Sequence, residues 1–84
     1  MNRILSWPHT PIFPGLLEGL KHKRLRTRVT PRGTIRFELA AGPVEMKFSR
    51  AEQPLPPYTE VYVWWKRGGF VCAPVAEVAH EERL

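Results

Sequence analysis

Residues 60–73, EVYVWWKRGGFVCA, decide the fold of this chain. Residues 60–66 alternate between two sets of side chains on opposite faces of a strand, Val61, Val63 and Trp65 on one and Tyr62, Trp64 and Lys66 on the other. Residues 67–69, Arg-Gly-Gly, tolerate positive φ and predict a tight turn. Residues 70–73 return as a second strand, which Pro74 ends. The stretch therefore predicts a β-hairpin with a strong apolar face.

Upstream of this hairpin, two further segments alternate in the same way. Residues 24–29, RLRTRV, and residues 34–39, TIRFEL, are separated by Thr-Pro-Arg-Gly, which has the composition of a turn. A break at residues 41–43 then precedes residues 44–48, VEMKF, whose apolar side chains share one face. These three segments predict a three-stranded meander.

The rest of the chain is short and rich in proline. Residues 49–58 hold three prolines and predict the longest internal loop. The interpretation is one mainly β unit at residues 21–75, a small five-stranded SH3-like or OB-like barrel. Residues 1–20 are predicted to form a Pro-rich extended arm with a short helical turn starting at Pro14, and residues 76–84 a C-terminal tail or short helix.

A single core follows from the alternation. Its predicted members are the large apolar side chains on the inward face of each strand: Leu25, Val29, Ile35, Phe37, Leu39, Val44, Met46, Phe48, Val61, Val63, Trp65 and Phe70.

Residues 28–37, 59–64 and 68–73 also resemble a known barrel. Arg-Val, then Arg-Gly-Thr-Ile-Arg-Phe, and later the hairpin that ends in Gly-Gly-Phe-Val-Cys-Ala are similar to the small C-terminal β-barrel of Mu-type transposases, over residues 28–76. The chain departs from that family at Trp-Lys-Arg in residues 65–67, where an Asp-rich turn is usual, and it has no counterpart of the catalytic domain with its acidic triad. The resemblance implies a barrel fold and a phage or mobile-element setting, without strand-transfer activity.

The charge of the chain is uneven. Thirteen Lys and Arg against eight acids give +5, and every acid is Glu. Residues 1–50 carry ten Lys or Arg and three Glu, a balance of +7, whereas residues 51–84 carry three and five, a balance of −2. Such asymmetry favours a polyanionic partner, either DNA or RNA, or an acidic protein surface.

The cationic residues of the first half concentrate in one run without an acid. We expect a nucleic-acid site from this run together with the outward face of residues 62–66: Lys21, Lys23, Arg24, Arg26, Arg28, Arg32, Arg36, Tyr62, Trp64 and Lys66. Phosphates would relieve the mutual repulsion of the arginines, and bases would stack on the two aromatic rings. Two alternatives stay open. Glu38 and Glu45 could neutralise a merely solubilising face, and the arm or the terminal helix could cover the aromatics.

Nothing in the sequence predicts catalysis. Phosphate-binding Gly-rich loops, His-Glu-x-x-His, Gly-x-Ser-x-Gly and acidic clusters for magnesium are missing from the sequence. Three histidines, His9, His22 and His80, lie in separate regions, and Cys72 is expected to be a small buried apolar residue. We therefore expect no enzyme activity, no cofactor, no metal and no membrane segment, and a cytoplasmic location for a chain with a single cysteine.

The arm carries its own signal. Trp7, Ile12 and Phe13 are costly to leave in water, so the arm either packs across its own domain or docks on a partner.

Two functions follow from these observations. The first is a non-enzymatic basic β-barrel that binds nucleic acid chiefly through phosphates. The alternative is a phage or mobile-element protein whose basic face and aromatic arm inhibit a host protein, in the manner of an anti-CRISPR inhibitor.

Overall fold

A hairpin built from residues 60–74 lies at the middle of the larger of two antiparallel sheets. The computed structural model describes residues 2–8 and 12–82, and for residues 80–82 it describes the backbone alone. The elements in chain order are β1 Arg3–Ile4, α1 Pro14–Leu20, β2 Leu25–Arg28, β3 Thr34–Leu39, β4 Gly42–Lys47, β5 Glu60–Lys66, β6 Gly69–Pro74 and α2 Val75–Glu82.

The β5–β6 hairpin closes as the sequence predicted. Lys66 lies opposite Gly69, so the loop consists of Arg67 and Gly68. Both have positive φ, 51° and 82°, which is the backbone of the two-residue turns that match strand twist. Glycine is suited to the second position because it has no Cβ to clash there.

The strand order corrects one expectation. The first sheet has the order β1-β6-β5-β2, and β3 and β4 form a separate pair, so the three-stranded meander predicted for residues 24–48 is wrong. β2 begins the expected hairpin with β3, because Gly33 N–H donates to Thr30 O and Thr30 N–H donates to Thr34 O. Gly33, at φ 78°, adds a bulge that raises the local twist, and after the Val29–Ile35 bridge the two strands diverge.

β2 pairs with β5 along its whole length instead. Leu25 lies opposite Val63 and Thr27 opposite Val61, so the inward side chains of β2 meet the apolar face of β5. Single bridges, Val29–Ile35 and Leu5–Phe48, link the two sheets. The chain is thus mainly β with a short C-terminal helix, and its sheets do not form one closed five-stranded ladder.

The core prediction is confirmed. Eight of the twelve expected residues are buried in one cluster, and the other four, Leu25, Leu39, Phe48 and Trp65, pack against it. Four further side chains complete the cluster: Leu5, Leu20 and Leu55, which the alternation did not indicate, and Cys72, which was expected to be buried. They come from the N-terminal segment, from α1, from the proline-rich loop and from β6.

The N-terminal segment packs on its own domain. β1 pairs with β6, Leu5 N–H donates to Phe70 O, and Ser6 N–H donates to Lys47 O, each at 2.9 Å. Trp7 then meets Trp65 and Phe70 edge to face, with ring centroids 5.8 and 6.4 Å away. The sequence predicted an extended arm but no strand, because two residues are too few for a periodic pattern.

Helix α2 covers part of the outer face of the first sheet. Val71 and Ala73 alternate with the core residues Phe70 and Cys72, yet all four are buried. α2 follows β6 directly, packs against β5 and β6, and carries the buried side chain of Val78. It therefore shields the outward side chains of β6. In the described part of the chain, neither helix is long and apolar enough to cross a membrane.

Candidate nucleic-acid interface

Pairing of β2 with β5 brings the two sequence signals together on one surface. Arg26 lies opposite Tyr62 and Arg28 opposite Glu60 in the antiparallel register. Arg24, just before β2, and Trp64, further along β5, extend the same two lines of side chains. We call this surface the arginine–aromatic row and define it as Arg24, Arg26, Arg28, Glu60, Tyr62 and Trp64.

The guanidinium groups lie over the aromatic rings. The central carbon of Arg24 is 5.0 Å from the ring centroid of Tyr62 and 5.6 Å from that of Trp64. The corresponding carbon of Arg26 is 6.0 Å from Tyr62. Cations at such distances are attracted by the ring quadrupole, so the rings hold the arginines against the sheet. The rings therefore favour positions of Arg24 and Arg26 against β5.

Glu60 binds two of the three arginines. Its carboxylate accepts hydrogen bonds from Arg26 at 2.9 Å and from Arg28 at 3.2 Å. These hydrogen bonds, with the charge of the two guanidinium groups, lower the pKa of Glu60, and the hydrogen bond to Glu60 raises the pKa of Arg26. Three cations and one anion leave the row with a net charge of +2. Sequence reasoning missed Glu60, although its alternation with Tyr62 and Trp64 places it on their face.

Tyr62 and Trp64 are half-buried. On one side they contact the arginines of β2. On the other side lies β6, where Ala73 is opposite Tyr62 and Val71 is opposite Trp64 in the antiparallel register. Helix α2 packs against β5 and β6 and so reduces the part of Tyr62 and Trp64 that solvent can reach. Trp7 lies on the opposite side of the sheet, against Trp65. Among the described residues, which leave out residues 9–11 of the arm, it is therefore the terminal helix that limits access to the two aromatics.

Three other predicted cations lie away from the row and have acidic partners. Arg32, in the turn before β3, pairs with Glu45 of β4 at 2.9 Å, and Arg36 pairs with Glu38 within β3 at 3.1 Å. Lys21 pairs with Glu18 at 2.9 Å and lies 4.7 Å from the centroid of Trp65. Glu38 and Glu45 thus pair with Arg36 and Arg32, whereas Glu60 pairs with Arg26 and Arg28 of the row.

The remaining two predicted cations are exposed. Lys23 lies in the connection between α1 and β2, next to Arg24 in sequence. Lys66 ends β5 and borders an open depression of about 340 Å³, whose apolar lining includes Ile4 and Val71. The structure therefore gathers Arg24, Arg26, Arg28, Tyr62 and Trp64. Lys23 and Lys66 both lie toward the Arg24–Trp64 end of the row, and the other predicted cations lie apart from it.

Cys72 is a fully buried core residue, as expected. Burial raises the pKa of its thiol to about 12, so the thiol stays protonated at neutral pH. Among the described side chains, no three His, Cys or Glu residues lie close enough to hold a metal ion. His22 is exposed, while His9 and the side chain of His80 lie outside the described residues.

Comparison of this chain with protein-family models, with curated proteins and with solved structures found no match.

Proposed function

We propose that this chain is a non-enzymatic, small β-rich protein that binds nucleic acid mainly through phosphate contacts. The observation that carries the proposal is the arginine–aromatic row, in which three arginines along β2 lie beside Glu60, Tyr62 and Trp64 of β5, and Arg24 and Arg26 lie over the aromatic rings. Arginine suits this function because its planar fork of donors matches a phosphate, and it stays charged at any physiological pH.

Phosphate has to compete with Glu60 for Arg26 and Arg28. Both arginines remain largely exposed, with side-chain accessibilities of 55% and 67%, so their outer N–H groups can reach a second acceptor. Exposed ion pairs contribute about 0–1 kcal/mol, which an anionic backbone with many phosphates can replace. Glu60 therefore keeps the arginines in place in the free protein and becomes the weaker acceptor in the complex.

The aromatic rings have a secondary role in this proposal. Arg24 already lies over Tyr62 and Trp64, so a base stacks there only beside the guanidinium or after displacing it. A flexible single strand can make this adjustment, whereas a duplex keeps its bases paired. We therefore propose phosphate contact with either form and additional stacking with single strands.

The test is a charge-matched pair of triple variants. Replacement of Arg24, Arg26 and Arg28 by Gln should weaken binding to DNA and RNA of any sequence, and should reduce the dependence of log K on log salt by about three contacts. In the control, Arg36 and Lys47 on the other sheet and Arg32 in the turn before it are replaced by Gln, which removes the same charge. The control should keep most of the affinity. Equal loss in both variants, or no binding by the parent at about 50 mM salt, would contradict the proposal.

An SH3-like barrel and a phage or mobile-element setting belong to the same proposal. The two bridges that link the sheets, Val29–Ile35 and Leu5–Phe48, support the barrel class. The resemblance to the small barrel of Mu-type transposases supports the setting. A cytoplasmic location agrees with a nucleic-acid partner.

A second candidate function rests on a different surface. Trp7 and Phe13 are each 58% exposed, and large aromatic residues are enriched at protein–protein interfaces. This exposure supports the rival proposal, a protein that binds and inhibits a host protein, with Trp7, Ile12 and Phe13 as docking residues. Recovery of one host factor in a stoichiometric, nuclease-resistant complex would favour it over nucleic-acid binding.

A further inference from the structure

Tyr58 occupies a backbone position that usually belongs to glycine. Thr59 N–H donates to Pro56 O at 3.3 Å, which closes a four-residue turn over residues 56–59. Tyr58 is the third residue of this turn and has a φ of 67°. A turn with Pro in its second position and positive φ in its third is of type II, and this third position strongly favours Gly or Asn. A bulky aromatic residue there is strained.

The side chain of Tyr58 contributes little packing to the fold that would offset this strain. The side chain of Tyr58 is among the exposed large apolar groups, with 66% of the residue accessible. Other residues stabilise the turn: Leu55 is buried in the core, and the hydroxyl of Thr59 donates a hydrogen bond to Pro56 O at 2.7 Å. Glycine at position 58 would therefore make the same turn with less strain. A phenol ring at this position is better explained by contact with a partner than by folding.

The turn lies at one end of the arginine–aromatic row. Tyr58 N–H donates to Val29 O at 2.7 Å, and Val29 N–H donates to Thr59 O at 2.9 Å. These bonds continue the β2–β5 pairing past Arg28 and Glu60, so Tyr58 is attached to the residue that follows Arg28. The row spans about 13 Å from Glu60 to Trp64 at the usual rise of an extended strand, and the turn that contains Tyr58 lies next to its Glu60 end.

We propose that Tyr58 is a third aromatic contact of this surface and that it stacks on a base of single-stranded nucleic acid. The inference rests on the proposed function and adds the class of nucleic acid. Unlike Tyr62, this ring has no guanidinium over it among the described residues, and it is mostly accessible. Arg28, whose side chain is 67% exposed, directly precedes Val29, to which the backbone of Tyr58 is hydrogen-bonded, and it supplies a phosphate contact on the neighbouring strand. An exposed ring beside a cation is the arrangement by which single-strand-binding proteins hold unpaired bases.

Three substitutions separate the ring from the strain. Tyr58→Gly and Tyr58→Asn both remove the ring and suit positive φ, whereas Tyr58→Phe keeps the ring in the same backbone. The melting temperature of each variant is measured by circular dichroism. The Kd is measured by fluorescence anisotropy for a labelled oligothymidine and for a duplex of equal length, at about 50 mM salt.

We expect Tyr58→Gly and Tyr58→Asn to melt at or above the parent temperature, by up to about 5 °C. Their affinity for the single strand should fall about tenfold, because one stacked base is lost, while their affinity for the duplex should change little. Tyr58→Phe should bind like the parent. Stability and binding thus respond in opposite directions to the same substitution.

Several outcomes would overturn the inference. If both ring-free variants melt several degrees below the parent, the ring is structural. If they bind the single strand as tightly as the parent, Tyr58 is no contact, and the proposed function stands without it. If they lose a stoichiometric complex with a host protein and keep single-strand binding, the ring serves a protein partner. If the parent itself binds neither oligonucleotide, the proposed function fails first.

Discussion

Glu60 accepts a hydrogen bond of 2.9 Å from Arg26 across the β2–β5 ladder, and the same carboxylate binds Arg28. An anion of the protein itself thus occupies the place between the arginines that the proposal gives to a phosphate. This relationship makes the free protein more ordered and also weakens its attraction for a polyanion.

The first prediction is that Glu60→Gln tightens nucleic-acid binding. The substitution frees Arg26 and Arg28 and raises the charge of the row from +2 to +3, so we expect affinity to rise several-fold and the salt dependence to become steeper. Glu38→Gln, which frees Arg36 on the other sheet, removes the same charge and serves as the control. Gel-shift titrations at two salt concentrations measure both variants. A Glu60→Gln protein that binds no better than Glu38→Gln would place the phosphates elsewhere.

A second prediction concerns stability in acid. The pKa of Glu60 is lowered, first by its hydrogen bond from Arg26, and the pKa of Glu18 is lowered by its hydrogen bond from Lys21. A carboxyl group with a depressed pKa stabilises the fold above its ordinary value of 4.5 and loses that contribution as the pH falls through the lowered pKa. The parent should therefore become less stable below about pH 4.5.

The variant pair Glu60→Gln and Glu18→Gln tests this assignment. Each should flatten the acid side of the stability curve, and the double variant should flatten it further, because neither side chain can then take up a proton. Urea unfolding at pH 7 and at pH 3 measures the difference. If the double variant loses as much stability between pH 7 and pH 3 as the parent does, other carboxylates cause the acid destabilisation.

Most of the strands and the core could be predicted from alternation alone. The inward position of residues such as Ile35, Phe37 and Val63 can be predicted from the polar and apolar residues next to them in sequence. The pairing of one strand with another cannot be predicted from such local patterns. Arg26 and Glu60 are 34 residues apart, and their contact depends on β2 leaving β3 after the bulge at Gly33. The arginines and the aromatics were therefore predictable separately, whereas their contact across the ladder was not.

Leu5, in the N-terminal segment, and Leu20, in α1, had no sequence pattern that predicted their burial. Leu5 is in the core and only 5% exposed, because it bridges to Phe48 and pairs with Phe70 through its backbone. The segment around it is too short to alternate and is followed by prolines, which indicate an extended arm. Leu20 is similarly buried from a helix of seven residues.

The third prediction separates the two roles open to the N-terminal segment. Leu5→Ala should destabilise the protein by about 2–5 kcal/mol, the usual cost of a buried Leu→Ala change. Trp7→Ala should cost clearly less, because more than half of that side chain is in water and its contacts with Trp65 and Phe70 are edge contacts. Thermal and urea unfolding of the two variants compare them. A larger loss from Trp7 than from Leu5 would make the tryptophan the principal anchor of the segment.

The last prediction uses two neighbouring tryptophans on opposite faces of β5. Trp65 packs against the core and meets Phe70 edge to face at 4.9 Å, so Trp65→Ala should cost about 3–5 kcal/mol of stability. Trp64 lies on the other face, half-buried beside Arg24 and opposite Val71. Trp64→Ala should weaken single-strand binding by about 1–3 kcal/mol through lost stacking, and duplex binding much less.

Each tryptophan controls for the other, since both variants remove the same side chain from the same strand. Binding is compared only where both variants are folded, which circular dichroism at low temperature establishes. The expected result is a large effect on melting from Trp65 and a large effect on single-strand affinity from Trp64. If Trp64→Ala instead lowers the melting temperature as much as Trp65→Ala and leaves affinity unchanged, then Trp64 belongs to the packing beneath α2. The row would in that case bind through its arginines alone.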